Sequence, residues 1–325
     1  MILVTGASGF IGTELCESLR YSGYFVRSVV RNIYKAELNC DTEHAANFRV
    51  NHDVISVGEI SSETDWHTAL CGVSHVVHLA ARVHIMNEVS PDRIMEFRRV
   101  NVDATANLAK QAALAGVRRF IYLSSIKVNG EFTKAGYPFT ADDVPDPLDP
   151  YSVSKYEAEI LLRQIARETS MEVVILRPPL VYGPRVGANF ESMMRWLKRG
   201  IPMPLGAIRQ NQRSMVALGN LVDLIMVCLN HPAAANQIFL ASDGDDLATV
   251  ALLQRMANAL GVKARLFNVS PILLKFGAKL LGKESVYLRL CESLQIDMTK
   301  TRQLLNWNPP LSVDIGLQLA AKGNI

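Results

Sequence analysis

Seven short apolar runs, separated by segments of helical spacing, limit the folds open to this chain more than any other feature of its sequence. The runs span 2–4, 25–30, 54–57, 73–79, 120–123, 173–176 and 238–240, and helical periodicity fills 11–21, 64–70, 102–115, 151–168 and 221–230. A strand that reads as an unbroken apolar run is covered on both faces, and helices between successive runs supply the cover. The expected fold class is α/β with a doubly wound parallel sheet. From Pro178 onward the alternation weakens and prolines gather at 178, 179, 184, 202 and 204. This predicts a smaller, discontinuous, mostly helical second domain: 1–177 and 211–241 build the sheet, 178–210 and 242–325 the substrate side.

A chain of 325 residues can bury a large core. Its net charge of +3 is spread without a block of one sign, so neither nucleic acid nor a strongly anionic membrane is expected as a partner. The cysteines, Cys16, Cys40, Cys71, Cys228 and Cys291, form no C-x-x-C pair. That favours a reducing, cytoplasmic setting over a disulfide framework. His75 and His78 share a strand without acidic or cysteine neighbours, so no metal is expected. A strand from the second residue leaves no room for a signal peptide. The most apolar window, 272–281, is interrupted by Lys275 and Lys279 and is too short to span a bilayer. A helix packed on the core is expected there in preference to a membrane-surface helix.

The first strand runs into "TGASGFIG", with Gly6, Gly9 and Gly12 at three-residue spacing and an apolar helix beginning at Phe10. Glycines let the backbone turn tightly and approach a pyrophosphate, and a helix N-terminus offers free N–H groups and a positive dipole end. After a first strand and before a helix, this pattern predicts a Rossmann dinucleotide site. The end of the second strand, "VRSVVRN", carries Arg31 and no acid before Glu37. An acid there holds the ribose hydroxyls of NAD, and a basic residue accommodates the 2′-phosphate of NADP. NADP is thus favoured, with NAD the alternative. Glu59, after the third strand, is a candidate acceptor for the adenine amino group or a simple turn residue.

"YSVSK" places Tyr151 and Lys155 four residues apart at a helix start, on one face. A free tyrosine titrates near 10 and is a poor proton-transfer group at neutral pH, so a neighbouring ammonium is expected to bring it toward the working range. About 25 residues upstream the strand 120–123 ends in Ser124 and Ser125. A hydroxyl there could hold a substrate oxygen while hydride and proton move.

At this point the chain resembles the extended short-chain dehydrogenase/reductase family of nucleotide-sugar epimerases, dehydratases and 4-ketoreductases. The likeness runs through "TGASGFIG", "VVHLAA", "NVDATANL", "SSIKVNG", "YSVSK", "LRPPLVYGP", "RSMVALGNLVDLI" and "DMTKTRQLLNWNP". It implies a nicotinamide dinucleotide across the sheet and a UDP-sugar on the C-terminal side. By position, Ser125, Tyr151 and Lys155 match the catalytic triad. Gly6, Gly9, Phe10, Ile11 and Gly12 match the cofactor loop, and Ser124, Tyr151 and Lys155 adjoin the cofactor. His78, Ala80 and Ala81 would line its inner side, followed by Asn101, with Pro178 beside the nicotinamide amide. Asn189, Phe190 and Arg213 match positions that contact uridine diphosphate, and Lys127 stands with Ser125 on the substrate side. A guanidinium fork at Arg213 suits a diphosphate. The resemblance also brings an expected homodimer, through the alanine-rich faces of 102–115 and 151–168, with a monomer close behind.

Departures from the family pattern narrow the reaction. Dehydratases carry an acid pair after the hydroxyl residue; here Ile126 and Lys127 occupy those places, which removes the acid and base for eliminating water. Asn129 stands where many 4-epimerases have an aromatic, and Leu180 where they have asparagine. The stretches "SSIKVNG" and "RPPLVYGP" and the tail "SLQIDMTKTRQLLNW" look most like the branch for NADPH- or NADH-dependent reduction of a UDP-4-keto-6-deoxy-N-acetylhexosamine, to UDP-N-acetylquinovosamine or its fucosamine epimer, for surface polysaccharide, and Arg31 adds weight to a reductase. The alternative is a 4-epimerase with tightly held NAD. A dinucleotide-binding sensor without turnover would have no need of Ser125, Tyr151 and Lys155 together.

Overall fold

The strands are β1 Ile2–Thr5, β2 Val26–Val30, β3 His52–Ser56, β4 His75–His78, β5 Arg119–Leu123, β6 Glu172–Arg177, β7 Leu180–Tyr182, β8 Met215–Ala217 and β9 Ile238–Leu240. They belong to a computed structural model that describes residues 1–32, 52–83, 93–134 and 136–323, apart from the side chains of Arg93, Ala188 and Asn189. The apolar runs account for all of these strands but β7 and β8. Seven strands form one sheet in the order β3-β2-β1-β4-β5-β6-β9, with every pairing parallel. The fold is thus the Rossmann-like α/β arrangement. β7 and β8 pair only with each other, also in parallel.

The helices are α1 Phe10–Tyr21, α2 His67–Leu70, α3 Arg93–Arg98, α4 Ala104–Leu114, α5 Pro150–Glu168, α6 Ala188–Lys198, α7 Leu218–Asn230, α8 Thr249–Ala259, α9 Pro271–Leu280, α10 Glu284–Cys291, α11 Thr299–Leu305 and α12 Val313–Gly323. The helix expected over 64–70 shortens to one turn, α2. A π-helical turn, Arg99–Asp103, joins α3 to α4.

Side chains alternate across a strand, and the two faces of the sheet divide accordingly. Ile2, Val4, Ile121, Val174 and Leu176 meet α1 and α7 in one apolar cluster. Leu3, Val76, Phe120, Tyr122, Val173 and Ile175 meet α4 and α5 in another. Leu3 is fully buried, so truncating it to Ala is a cavity-forming change of about 2–5 kcal/mol. A third cluster joins Tyr182, Phe190, Met194, Leu253, Met256 and Leu317 from β7, α6, α8 and α12. Cys16, Cys71, Cys228 and Cys291 are free thiols, and Cys40 lies outside the described residues.

Candidate active site

Strand order reverses between β1 and β4, and the glycine loop lies at that reversal. Gly6 takes a φ of +67°, and a Cβ there would come within 2.9 Å of the Ala80 backbone nitrogen just beyond β4. A Cβ on Gly12 would lie 2.1 Å from the Gly6 carbonyl oxygen, so the first turn of α1 packs directly on the loop. The Gly9 N–H donates to that same oxygen at 2.9 Å. Helix α1 has Gly9 as its N-cap and so no side-chain cap, which leaves its first-turn N–H groups for a phosphate. Phe10 and Ile11 pack against the core beneath. Glycine-only backbone, a close approach to β4 and an uncapped helix start together fit a dinucleotide.

His78 lies deeper than the lining position expected of it. It is fully buried, with Nδ1 2.7 Å from the Thr5 hydroxyl and Nε2 2.9 Å from that of Thr105, and its ring stacks on Tyr122. Burial, reinforced by the Lys155 charge, pulls its pKa down to about 3, so the imidazole is neutral. The Thr5 hydroxyl also accepts from the Ala80 N–H at 3.2 Å, which links His78 to the backbone beside Gly6. Ala80 and Ala81 themselves are half-buried. Asn101 sits inside the π-turn and is 1% exposed. Its amide accepts from the Arg82 N–H at 2.8 Å and donates to the Arg82 carbonyl and to the Ser154 hydroxyl, which in turn donates to the Tyr151 carbonyl. A π-turn at such a junction is a common mark of a functional site. Arg31 and Glu59 are both exposed, and the Arg31 carbonyl accepts from the Ser56 hydroxyl at 3.0 Å.

Beyond β5 the chain turns sharply. Ser124 is buried and donates to Glu159 Oε1 at 2.5 Å. Ser125 is extended and caps a 3-10 turn, Ile126–Val128, accepting from the Lys127 N–H at 3.3 Å. The Lys127 ammonium reaches Asp149 Oδ2 and, at 3.0 Å, Glu131. Asp149 is the cap of α5: its Oδ1 accepts from Ser152 N–H at 2.7 Å, the Ser152 hydroxyl accepts from Asp149 N–H, and Pro150 follows at N1. Burial alone would raise the Asp149 carboxyl, but the Lys127 and Ser152 contacts outweigh it and hold the pKa below the ordinary value. Lys127 thus ties the Ser125 turn to the helix that presents Tyr151.

Tyr151 packs edge-on to Phe97, with ring centroids 6.1 Å apart. Lys155, 2% exposed, donates from Nζ to the Leu123 carbonyl at 2.8 Å and lies 6.0 Å from the Tyr151 ring centroid. Burial pulls its pKa down to about 7, against the opposing charge of Glu159. The phenol differs from expectation: burial and the Asp149 carboxylate push Tyr151 up to about 12. Beneath the pair, Glu159 and Arg177 form an ion pair with both side chains 1% exposed, and Arg177 also donates to Asn129 at 3.0 Å. Sequence reasoning missed Glu159; the signal was an acid four residues past Lys155, on the face that α5 buries.

On the opposite side, Arg213 donates to the Glu292 carbonyl at 2.9 Å. Its pKa is lowered by burial and by the nearby charge of Arg289, a second cation that the sequence did not single out. Phe190 is 1% exposed and stacks on Tyr182 at 5.4 Å, so its ring belongs to the third cluster rather than to an open surface. The Asn189 side chain lies outside the described residues. Pro178 is buried, and its carbonyl accepts from Ile126 N–H at 3.0 Å, pinning the 3-10 turn to the end of β6.

Over 322 residues the chain is 44% identical to a UDP-glucose 4-epimerase of Vibrio cholerae, covering 99% of this chain and 94% of that one. It is 27% identical to the Escherichia coli O157:H7 protein named N-acetyl-alpha-D-glucosaminyl-diphospho-ditrans,octacis-undecaprenol 4-epimerase, covering 92% and 88%. Among solved structures, the UDP-glucose 4-epimerase of Thermotoga maritima with UDP-glucose aligns with a TM-score of 0.77 at 23% identity, covering 99% and 97%. The UDP-glucuronic acid 4-epimerase of Bacillus cereus with NAD aligns at 0.76 and 20%, covering 99% and 98%. The NAD dependent epimerase/dehydratase family model matches residues 2–241, and the chain belongs to that family.

Proposed function

We propose that this protein is a UDP-sugar 4-epimerase that retains NAD and inverts C4 of a UDP-hexose or UDP-N-acetylhexosamine. The observation that carries the reading is the 44% identity, along nearly both whole chains, to a protein named UDP-glucose 4-epimerase. The 4-ketoreductase that the sequence favoured has weaker support. It rests on the likeness of the Ser125 and Pro178 stretches and the C-terminal tail to that branch, with Arg31 as added weight for NADP, whereas the solved neighbours hold NAD.

When bound, the dinucleotide supplies a hydride acceptor and donor and, in its oxidised form, a positive charge near the phenol. Tyr151 takes the proton of the C4 hydroxyl as hydride leaves C4, and returns it after the keto sugar has presented its other face. Desolvation and Asp149 keep the phenol protonated in the protein alone, so its action as a base depends on cations nearby. Lys155, fixed by the Leu123 carbonyl, supplies one of them. Ser125 holds the C4 oxygen, and Arg213 with Arg289 neutralises the diphosphate. Asn101 and His78 act as positioning residues behind the cofactor loop.

The test is to incubate the purified protein with UDP-glucose and with UDP-N-acetylglucosamine without added cofactor, and to follow the C4 epimers by chromatography. Interconversion, with NAD released on denaturation, supports the epimerase. Consumption of NADPH with UDP-4-keto-6-deoxy-N-acetylglucosamine, and no interconversion, restores the ketoreductase. Tyr151→Phe is expected to lower either rate by roughly 10²–10⁴-fold without loss of thermal stability.

A further inference from the structure

Helix α9 is expected from sequence to pack on the core, and instead none of its residues is buried. Its inner face is thin: Leu274 packs against the third apolar cluster, with Gly277 and Ala278 half-buried beside it. The outer face is large and apolar. Ile272 is 79% exposed, Leu273 64%, Phe276 63% and Leu280 72%, and Leu281 adds 76% just beyond the helix. At 100° per residue, Phe276, Leu280, Leu273 and Ile272 form one outward stripe, with Lys275 and Lys279 along its edge. Gly282, at a φ of +62°, turns the chain into Lys283 and α10.

Charge decides what covers this stripe. From 263 to 283 the chain carries Lys263, Arg265, Lys275, Lys279 and Lys283 and no acidic residue, while the whole protein has a net charge of only +3. All five side chains are exposed, and none of Lys275, Lys279 and Lys283 forms an ion pair with a described carboxylate. A second copy docked by a two-fold axis would bring two such basic runs together, with only Glu284, just past Lys283, to set against them. A layer of anionic headgroups over hydrocarbon satisfies both halves of the surface. The apolar stripe enters the acyl boundary, while the lysine stems lie along it with their ammonium groups at headgroup level.

We infer that α9 and the turn that follows it dock this protein on an anionic phospholipid surface. This is a surface helix and not a span: no described helix is long and apolar enough to cross a membrane. The inference does not depend on the epimerase reading.

Co-sedimentation of the full chain with vesicles tests it, using phosphatidylcholine alone and phosphatidylcholine mixed with phosphatidylglycerol. Binding to the mixed vesicles only, released by high salt, is the expected result. The pair Phe276→Ser and Leu280→Ser should weaken partitioning by roughly tenfold or more, and Lys275→Glu with Lys279→Glu and Lys283→Glu by roughly a hundredfold. Both sets lie on the surface and should leave the unfolding temperature and soluble turnover unchanged; if the serine pair fails to fold, the lysine set still decides. Failure of the wild-type protein to bind anionic vesicles overturns the inference, as does equal binding to neutral ones. So does a lipid-free dimer, seen by sedimentation velocity, that the serine pair dissociates, because the stripe would then be an interface between copies.

Discussion

Burial makes the charge on Lys155 costly to the fold. Burial takes its pKa from 10.5 to about 7, and between those values the unfolded chain binds a proton that the folded chain does not. Stability contributed by this group is therefore full at high pH and is lost as pH falls from about 10.5 through about 7. Replacing it with a neutral side chain of similar length should abolish turnover and stabilise the fold. Lys155→Met is expected to gain roughly 1–4 kcal/mol near neutral pH, a gain that shrinks toward pH 10. Urea unfolding at the two pH values measures this. A variant less stable than wild type at neutral pH would show that the Leu123 carbonyl holds the ammonium on favourable terms. A group kept against its own desolvation is where function outweighs stability.

At the scale of elements, the site depends on how the turn after β5 is joined to the start of α5. Lys127 occupies the place of a dehydratase acid and makes a structural bond instead, to the Asp149 cap. Asp149→Ala should cost about 1–2 kcal/mol through the cap alone, and a double-mutant cycle with Lys127→Ala should give a coupling of about 0.5–3 kcal/mol. The pH profile separates this from mere stability. Asp149 raises Tyr151, so its removal should move the tyrosine-dependent limb to lower pH, while Lys127→Ala leaves the carboxylate unopposed and moves the limb higher. Unshifted limbs in both variants would sink the coupling. The candidate set was legible because local spacing marks Tyr151 and Lys155, and Ser125 follows a strand end. The sequence hid Glu159–Arg177, whose partners come from α5 and β6, and the capping contact, which spans 22 residues. The sheet strands were legible as apolar runs, whereas β7 and β8 are three residues each and cover no helix-lined sheet. Helix α9 was misjudged because periodicity reports an apolar face without saying which way it points.

Across the whole molecule, the candidate site and a buried structural ion pair lie at opposite ends of the strands. The glycine loop, the Ser125 turn and Pro178 all follow carboxyl ends of strands, as expected for an open parallel sheet. At the amino end of β5, Arg119 is fully buried, bonded to Glu172 and to the carbonyls of Cys228, Leu229 and His231 at the C-terminal end of α7. Arg119→Met should therefore destabilise the protein by about 3–5 kcal/mol, the cost of stranding those partners, with kcat/KM of the folded enzyme unchanged. Urea titration beside steady-state kinetics distinguishes the two, and a catalytic defect in proportion to the destabilisation would refute the division. The π-turn at Arg99–Asp103 gives chain length itself a role. A π-turn holds one residue more than the α-helical frame needs, so a codon deleted there would leave composition almost untouched and produce a more regular helix. Asn101 would then rotate away from Arg82 and Ser154, and a reading of the gene that looked only for changed residues would find every catalytic group in place.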